Sequence, residues 1–198
     1  MFVAGVSATA RRRLSRTDWV NAALAAIAEG GLAAVAVEPL AQRLGTSKGS
    51  FYWHFENRDA LLTAALALWE EQYTAAVTAE NTQAGADPVH RLRLLIRRVT
   101  ALAETDSVYV ALIATAGHPA VAPVLARITE HRLDYTGALF RDIGFSVQEA
   151  RYRSLLAYTA HLGHTELARS APGALPRGRP NREAYLQHVV TTLITPPP

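Results

Sequence analysis

"RLGTSKGSFYWHF", residues 43–55, admits two folds. Gly45-Thr46-Ser47-Lys48-Gly49 fits G-x-S-x-G, the strand-turn-helix elbow that lifts a nucleophilic serine above a sheet. The same residues fit a tight turn at Gly45 followed by a short helix, about 47–53, capped by Thr46 or Ser47. The flanks decide. "VEPLAQRL" (37–44) is amphipathic at helical spacing, with Leu40 and Leu44 inward, so no strand feeds the turn. Nor is a base placed for Ser47, since His54 lies on the following helix. Two short helices about a glycine make a helix-turn-helix, whose second helix enters the major groove of DNA N-terminal end first.

That second helix has the chemistry for a duplex. Thr46, Ser47, Gly49 and Ser50 are small, so backbone can approach phosphates, and helix N–H groups bind anions. Lys48 is the sole lysine of the chain, placed where a cation reaches phosphate or a guanine edge. Tyr52 and His54 offer donors at the groove wall, while Phe51 and Phe55, at i and i+4, belong to the core.

The pattern outward from this stretch is helical. Ser15-Arg16-Thr17-Asp18 is a capping-box start, followed by one apolar face of Trp19, Val20, Ala23, Leu24, Ile27 and Ala28, stopped by Gly30-Gly31. Asn57 caps a long helix, about 58–80, with the stripe Leu61, Leu62, Ala65, Leu66, Trp69 and Tyr73. "AENTQAGADP" (79–88) reads as a loop, and Asp87-Pro88 opens the next helix. A shorter helix near 107–115, a long one closed by Gly144, one from Ser146 to about 169, and a last one capped by Asn181 complete about nine helices. No strand or internal repeat is evident. The expected fold is all-α: a three-helix head with a helix-turn-helix, joined by a long helix to a larger helical body.

Composition narrows the function. The chain has 198 residues, 49% of them hydrophobic, and no cysteine, which excludes disulfides and thiolate zinc sites. No apolar run approaches the roughly 18–20 residues of a membrane span, and the order of basic and apolar residues at the start is the reverse of a secretory signal. A cytoplasmic soluble protein is expected. The net charge is +3, and the whole excess lies in residues 1–58, an electrostatic pointer to a polyanion. Arg11-Arg12-Arg13 contribute to it, either as a minor-groove arm or as a solvated tail touching phosphates. Nucleotide-binding glycine loops and H-E-x-x-H are absent. His161 and His164 share a helix face at i, i+3, a spacing a metal can use, but polar residues at a seam or pocket have the same pattern. No metal site, cofactor or catalytic residue is assigned.

"AVEPLAQRLGTSKGSFYWHFENRDALL" (36–62), preceded by "AALAAIAEGGLAAV", resembles the TetR family of bacterial transcriptional regulators over about residues 12–70. The resemblance implies a homodimer that binds double-stranded operator DNA and is released by a small-molecule effector. It implies a DNA-binding domain at 12–58 and an effector-binding and dimerisation domain at 59–195. Carried over by position, Thr46, Ser47, Lys48, Gly49 and Ser50 start the recognition helix, and Tyr52, Trp53 and His54 match base-reading or phosphate-contacting positions. Arg58 stands where the family usually has a lysine that contacts phosphate. Ala36 departs from the family, which often has Thr or Ser there as a helix cap.

For the body, Trp69, Tyr73, Tyr109, His118, Tyr135 and Tyr158 are the candidate effector contacts, because apolar pockets with a few polar tips suit small ligands; each also reads as ordinary core. The last two helices are expected to pair across a two-fold axis. Leu156, Ala160, Gly163, Leu167, Val189 and Leu193 are the candidate interface, with packing inside one protomer as the alternative. Two other functions stay open: a helical adaptor that binds protein, and a metal-dependent enzyme using the C-terminal histidines.

Overall fold

The computed structural model describes residues 14–82 and 87–196. Among them are nine α-helices and no strand: α1 (Arg16–Gly30), α2 (Val37–Arg43), α3 (Lys48–Tyr52), α4 (Arg58–Thr82), α5 (Pro88–Thr105), α6 (Ser107–Ala114), α7 (Ala122–Ile143), α8 (Val147–Ser170) and α9 (Arg179–Ile194). Two 3-10 turns, Leu32–Ala34 and Pro172–Ala174, were not anticipated. The basic run 11–13 lies outside the described residues, as do residues 83–86 of the loop expected at 79–88, whereas residues 79–82 continue α4 instead of forming loop.

The caps explain most boundaries. Ser15 Oγ accepts from Asp18 N at 3.2 Å while Asp18 accepts from Ser15 N at 2.7 Å, a complete capping box. Asn57 Oδ1 accepts from Ala60 N, starting α4, and Asp87 accepts from the amides of Val89 and His90, starting α5. Gly144, at φ 112°, terminates α7 in the left-handed region. Two boundaries differ from expectation. α9 starts at Arg179, not after Asn181, because Pro180 is tolerated in a first turn where amide donors lack partners anyway. Asn181 instead donates to Arg177 O from inside the helix. At α8, Ser146 caps Glu149 N, but the Glu149 carboxylate pairs with Arg153 at 2.7 Å instead of closing the box.

Two cores form. The first joins the head to the body: Trp19, Ile27, Phe51 and Phe55 are continuous with Leu61, Leu62, Leu66, Trp69 and Tyr73 of α4, then with Tyr109 and Leu112 of α6 and Ile128 of α7. Apolar packing therefore does not break at residue 58. The second core unites α5, the C-terminal half of α7, α8 and α9 through Leu92, Ile96, Phe140, Ala150, Val190 and Leu193. Arg153 fastens α9 to α8, donating to the carbonyls of Leu193 and Thr195 and stacking 4.0 Å over Phe145. No helix among the described residues is long and apolar enough to cross a membrane.

Candidate nucleic-acid interface and internal cavity

The head is built around Phe51. Its ring meets Trp19 edge-on at 5.3 Å and Phe55 face-on at 5.7 Å, so α3 is held to α1 from its inner side. The short helix then presents its other residues outward. Ser47, Lys48, Gly49, Tyr52 and Trp53 are exposed, and Thr46, Ser50 and His54 are half-buried beside them. Tyr52 is 55% and Trp53 84% accessible, large apolar surface that the head leaves uncovered. Gly45, at φ 64°, makes the turn from α2. Ser47 is the N-cap of a helix that follows another helix, which removes the hydrolase elbow.

Two cations of this region are engaged. Lys48 Nζ lies 2.7 Å from Glu38 Oε1, an exposed pair whose hydrogen bond raises the ammonium pKa and lowers the carboxylate's. Arg58 was expected at phosphate. Its Nε and Nη2 instead donate to Val35 O at 2.6 Å and Leu32 O at 2.7 Å, with Nη1 toward Asp59 at 3.3 Å. The unanticipated 3-10 turn supplies one of those carbonyls, so the guanidinium fastens the α1–α2 connection to the start of α4.

Inside the body, a cavity of about 50 Å³ is lined by residues of α4, α5, α7 and α8. Three of the six expected effector contacts, Tyr73, Tyr135 and Tyr158, line it. Trp69 and Tyr109 stand behind that wall, stacked at 6.2 Å on each other, with Tyr109 5.7 Å from Tyr73. His118 lies elsewhere: its Nδ1 accepts from Ala120 N in the α6–α7 turn, outside this lining.

Sequence reasoning missed the residue around which these rings gather. Arg132 of α7 lies 4.5 Å from the Tyr73 ring centroid, 4.6 Å from Tyr109 and 5.8 Å from Tyr158, and its Nη1 donates to Tyr109 Oη at 2.8 Å. Tyr158 Oη is 2.8 Å from Thr129 Oγ1. His161 lines the same cavity and stacks on Tyr109 at 5.7 Å. Burial, then the charge of Arg132, then His164 depress its pKa from 6.5 to about 3, so it is neutral near pH 7. Burial likewise pushes the hydroxyls of Tyr73 and Tyr109 up. His164 turns away, 3.5 Å from Glu104 and stacked on Tyr185. Among the described residues no cluster of three metal-ligating side chains exists. The only sequence sign for Arg132 was its place on α7 one turn from Tyr135 and Thr129, which a single chain does not distinguish from any surface arginine.

Of the expected interface residues, Leu156, Ala160, Gly163 and Leu167 form one exposed stripe along α8, extended by Tyr152 and Leu155. Val189 is half-buried. Leu193 is a correction: it is 3% accessible, sealed in the protomer's own second core by α5 and α8.

Residues 20–65 match the family model of bacterial regulatory proteins of the tetR family, and they are the residues that build this head. The head is therefore similar to the DNA-binding segment of that family. The tetR-type segment is 28% identical over 85 residues to the HTH-type transcriptional regulator TtgR of Pseudomonas putida, covering 43% of this chain and 40% of that one. It is 40% identical over 52 residues to the class D tetracycline repressor protein of Escherichia coli, covering 26% and 24%. The chain thus matches less than half the length of these relatives. The whole fold superposes on the solved structure of AibR in complex with isovaleryl coenzyme A and operator DNA, with a TM-score of 0.63, 18% identity and coverage of 90% of this chain and 97% of that one. At that identity the likeness is one of fold.

Proposed function

We propose that this protein is a dimeric DNA-binding transcriptional regulator, a repressor that a small molecule releases from its operator. The observation that carries the reading is the outer face of α3, where Tyr52, Trp53 and Lys48 stand exposed on a short helix held rigidly from behind by Phe51. In such a helix-turn-helix, Thr46, Ser47, Gly49 and Ser50 contact phosphates, and Tyr52, Trp53 and His54 meet base edges or the groove wall. Residues 12–58 read DNA, and residues 59–195 bind the effector and dimerise. The role is one of binding, not catalysis, and it places the protein beside the chromosome in the cytoplasm.

Two heads meet successive major grooves only when they stand about 34–36 Å apart. The exposed α8 stripe, with Ala160 and Gly163 allowing close approach, supplies the dimer contact. α4 carries the head at one end and Tyr73, at the cavity, further along. It has 25 residues, about 38 Å at about 1.5 Å per residue, so a small tilt at the cavity moves the head by several ångströms. An effector that binds the tilted state better releases DNA by linkage. The direct test is salt-dependent binding of the full chain to its upstream intergenic DNA. Affinity falls steeply with salt and is lost in Lys48→Ala and Tyr52→Ala; absence of binding to any duplex at low salt refutes the reading.

A further inference from the structure

Arg132 is a buried cation without a counter-ion. Its Nε and Nη2 are sealed from solvent and have no hydrogen-bond acceptor, and among the described residues no carboxylate pairs with it. Asp106, whose field reaches neighbouring Tyr73, is engaged in capping α6 through Tyr109 N. A buried charge left this way is costly unless something pairs with it. The two orphan donors are not scattered. Nη1 is held by Tyr109, which leaves Nε with Nη2, a guanidinium edge whose two N–H bonds run parallel and match both oxygens of a carboxylate.

The other orphans converge on the same place. Tyr73 Oη and both imidazole nitrogens of His161 are buried without partners, and both residues line the cavity with Arg132. Neutral His161 and Tyr73 each have an N–H or O–H to donate to an anion. The rest of the wall includes Leu95, Ile96, Val99 and Ala157. The cavity as it stands, about 50 Å³, admits a head group of a few atoms and not a drug-sized body, which needs roughly 300 Å³ or more. Its single fixed positive charge suits a monoanion.

Resting on the regulator reading for its biological role, we infer that the effector is an apolar-tailed monocarboxylate: its carboxylate seats on the Nε–Nη2 edge of Arg132, and its tail parts the α5 wall. Occupation removes an uncompensated buried charge, so ligand and protein stabilise one another, and displacement of α5 and Tyr73 transmits the event to α4.

The experiment compares octanoate, butyrate and benzoate with their primary amides, which have nearly the same shape and no charge, by thermal shift and calorimetric titration of the full chain without DNA. At millimolar concentration at least one carboxylate raises Tm, and its amide does so at least tenfold less effectively. Arg132→Lys retains the charge but loses the paired edge and weakens binding tenfold or more, and Arg132→Met abolishes it. Should Arg132→Met not fold, the carboxylate–amide pair and the lysine variant still decide. Equal binding of acid and amide, no binding of any of the acids, or undiminished binding in Arg132→Lys overturns the inference. DNA binding is measured separately. A chain that binds a carboxylate but no duplex retains this site and loses the regulator reading; one that binds duplex but no carboxylate does the reverse.

Discussion

Glu38 holds the chain's sole lysine at 2.7 Å on the face proposed to meet DNA. Both partners are exposed, so the pair adds little to stability, and a phosphate competes directly with the carboxylate for Lys48. Glu38→Gln is therefore expected to tighten duplex binding at low salt several-fold, with no change in the urea midpoint, as read by fluorescence anisotropy and denaturation. Arg58 behaves in the opposite way. Its two short bonds to the carbonyls of Leu32 and Val35 hold the head together, and hydrogen bonds to a charged group contribute about 1.5–3 kcal/mol each. Arg58→Met is expected to cost about 3 kcal/mol in urea unfolding, far more than loss of a surface phosphate contact. The motif position of Arg58 was visible in the sequence. Its actual partners were not, because they are backbone atoms of a turn more than twenty residues away.

At the scale of elements, α2 is weakly supported at its start. It has seven residues, a proline in its first turn, and Ala36 at its N-cap with no side-chain acceptor. The Ala36 backbone has the extended geometry of a capping residue, φ −128° and ψ 138°. Ala36→Ser is accordingly expected to raise stability by about 1 kcal/mol, measured as a higher Tm, and leave DNA contacts intact. At Gly144 an opposite change applies. Its φ of 112° strains any residue with a Cβ, although no atom lies within 4 Å of the Cβ position. Gly144→Ala should lower stability by about 1 kcal/mol through backbone strain alone. Both helix ends were legible because capping is local: the signal and its consequence lie within four residues.

The whole molecule stores a pH dependence in its second layer of contacts. The unfolded chain takes up a proton on His161 near pH 6.5, whereas the folded chain resists it down to about pH 3. Unfolding therefore binds a proton over that interval, and stability is lost as pH falls through it, at up to about 1.4 kcal/mol per pH unit. Arg132 and His164 act on His161 electrostatically, and Tyr109 and Tyr158 pack against its ring. His161→Phe preserves the stacking and removes the titration. Its stability should fall less steeply than the parent's between pH 6.5 and 5, measured by urea midpoints at each pH. At this scale the protein is also expected to be a dimer in solution through the α8 stripe. Leu156→Glu should produce a monomer by light scattering, since Leu156 is 54% accessible in the protomer and its loss leaves the core intact.

What the sequence determined by itself was periodic or local. The 3.6-residue apolar stripes, the caps at Ser15, Asn57 and Asp87, the glycine turn at 45 and the inward aromatics Phe51 and Phe55 specify the helices and the outer face of α3, because each depends on neighbours a turn or two away. Tertiary structure decided the rest. Arg132, His161 and Tyr73 come from three helices, and only their packing converts one unremarkable arginine into a buried cation with a vacant edge. Leu193 shows the converse: a side chain whose pattern fitted an interface is covered by the protomer's own core. Burial is a property of the assembled fold, and charge acquires its meaning from burial.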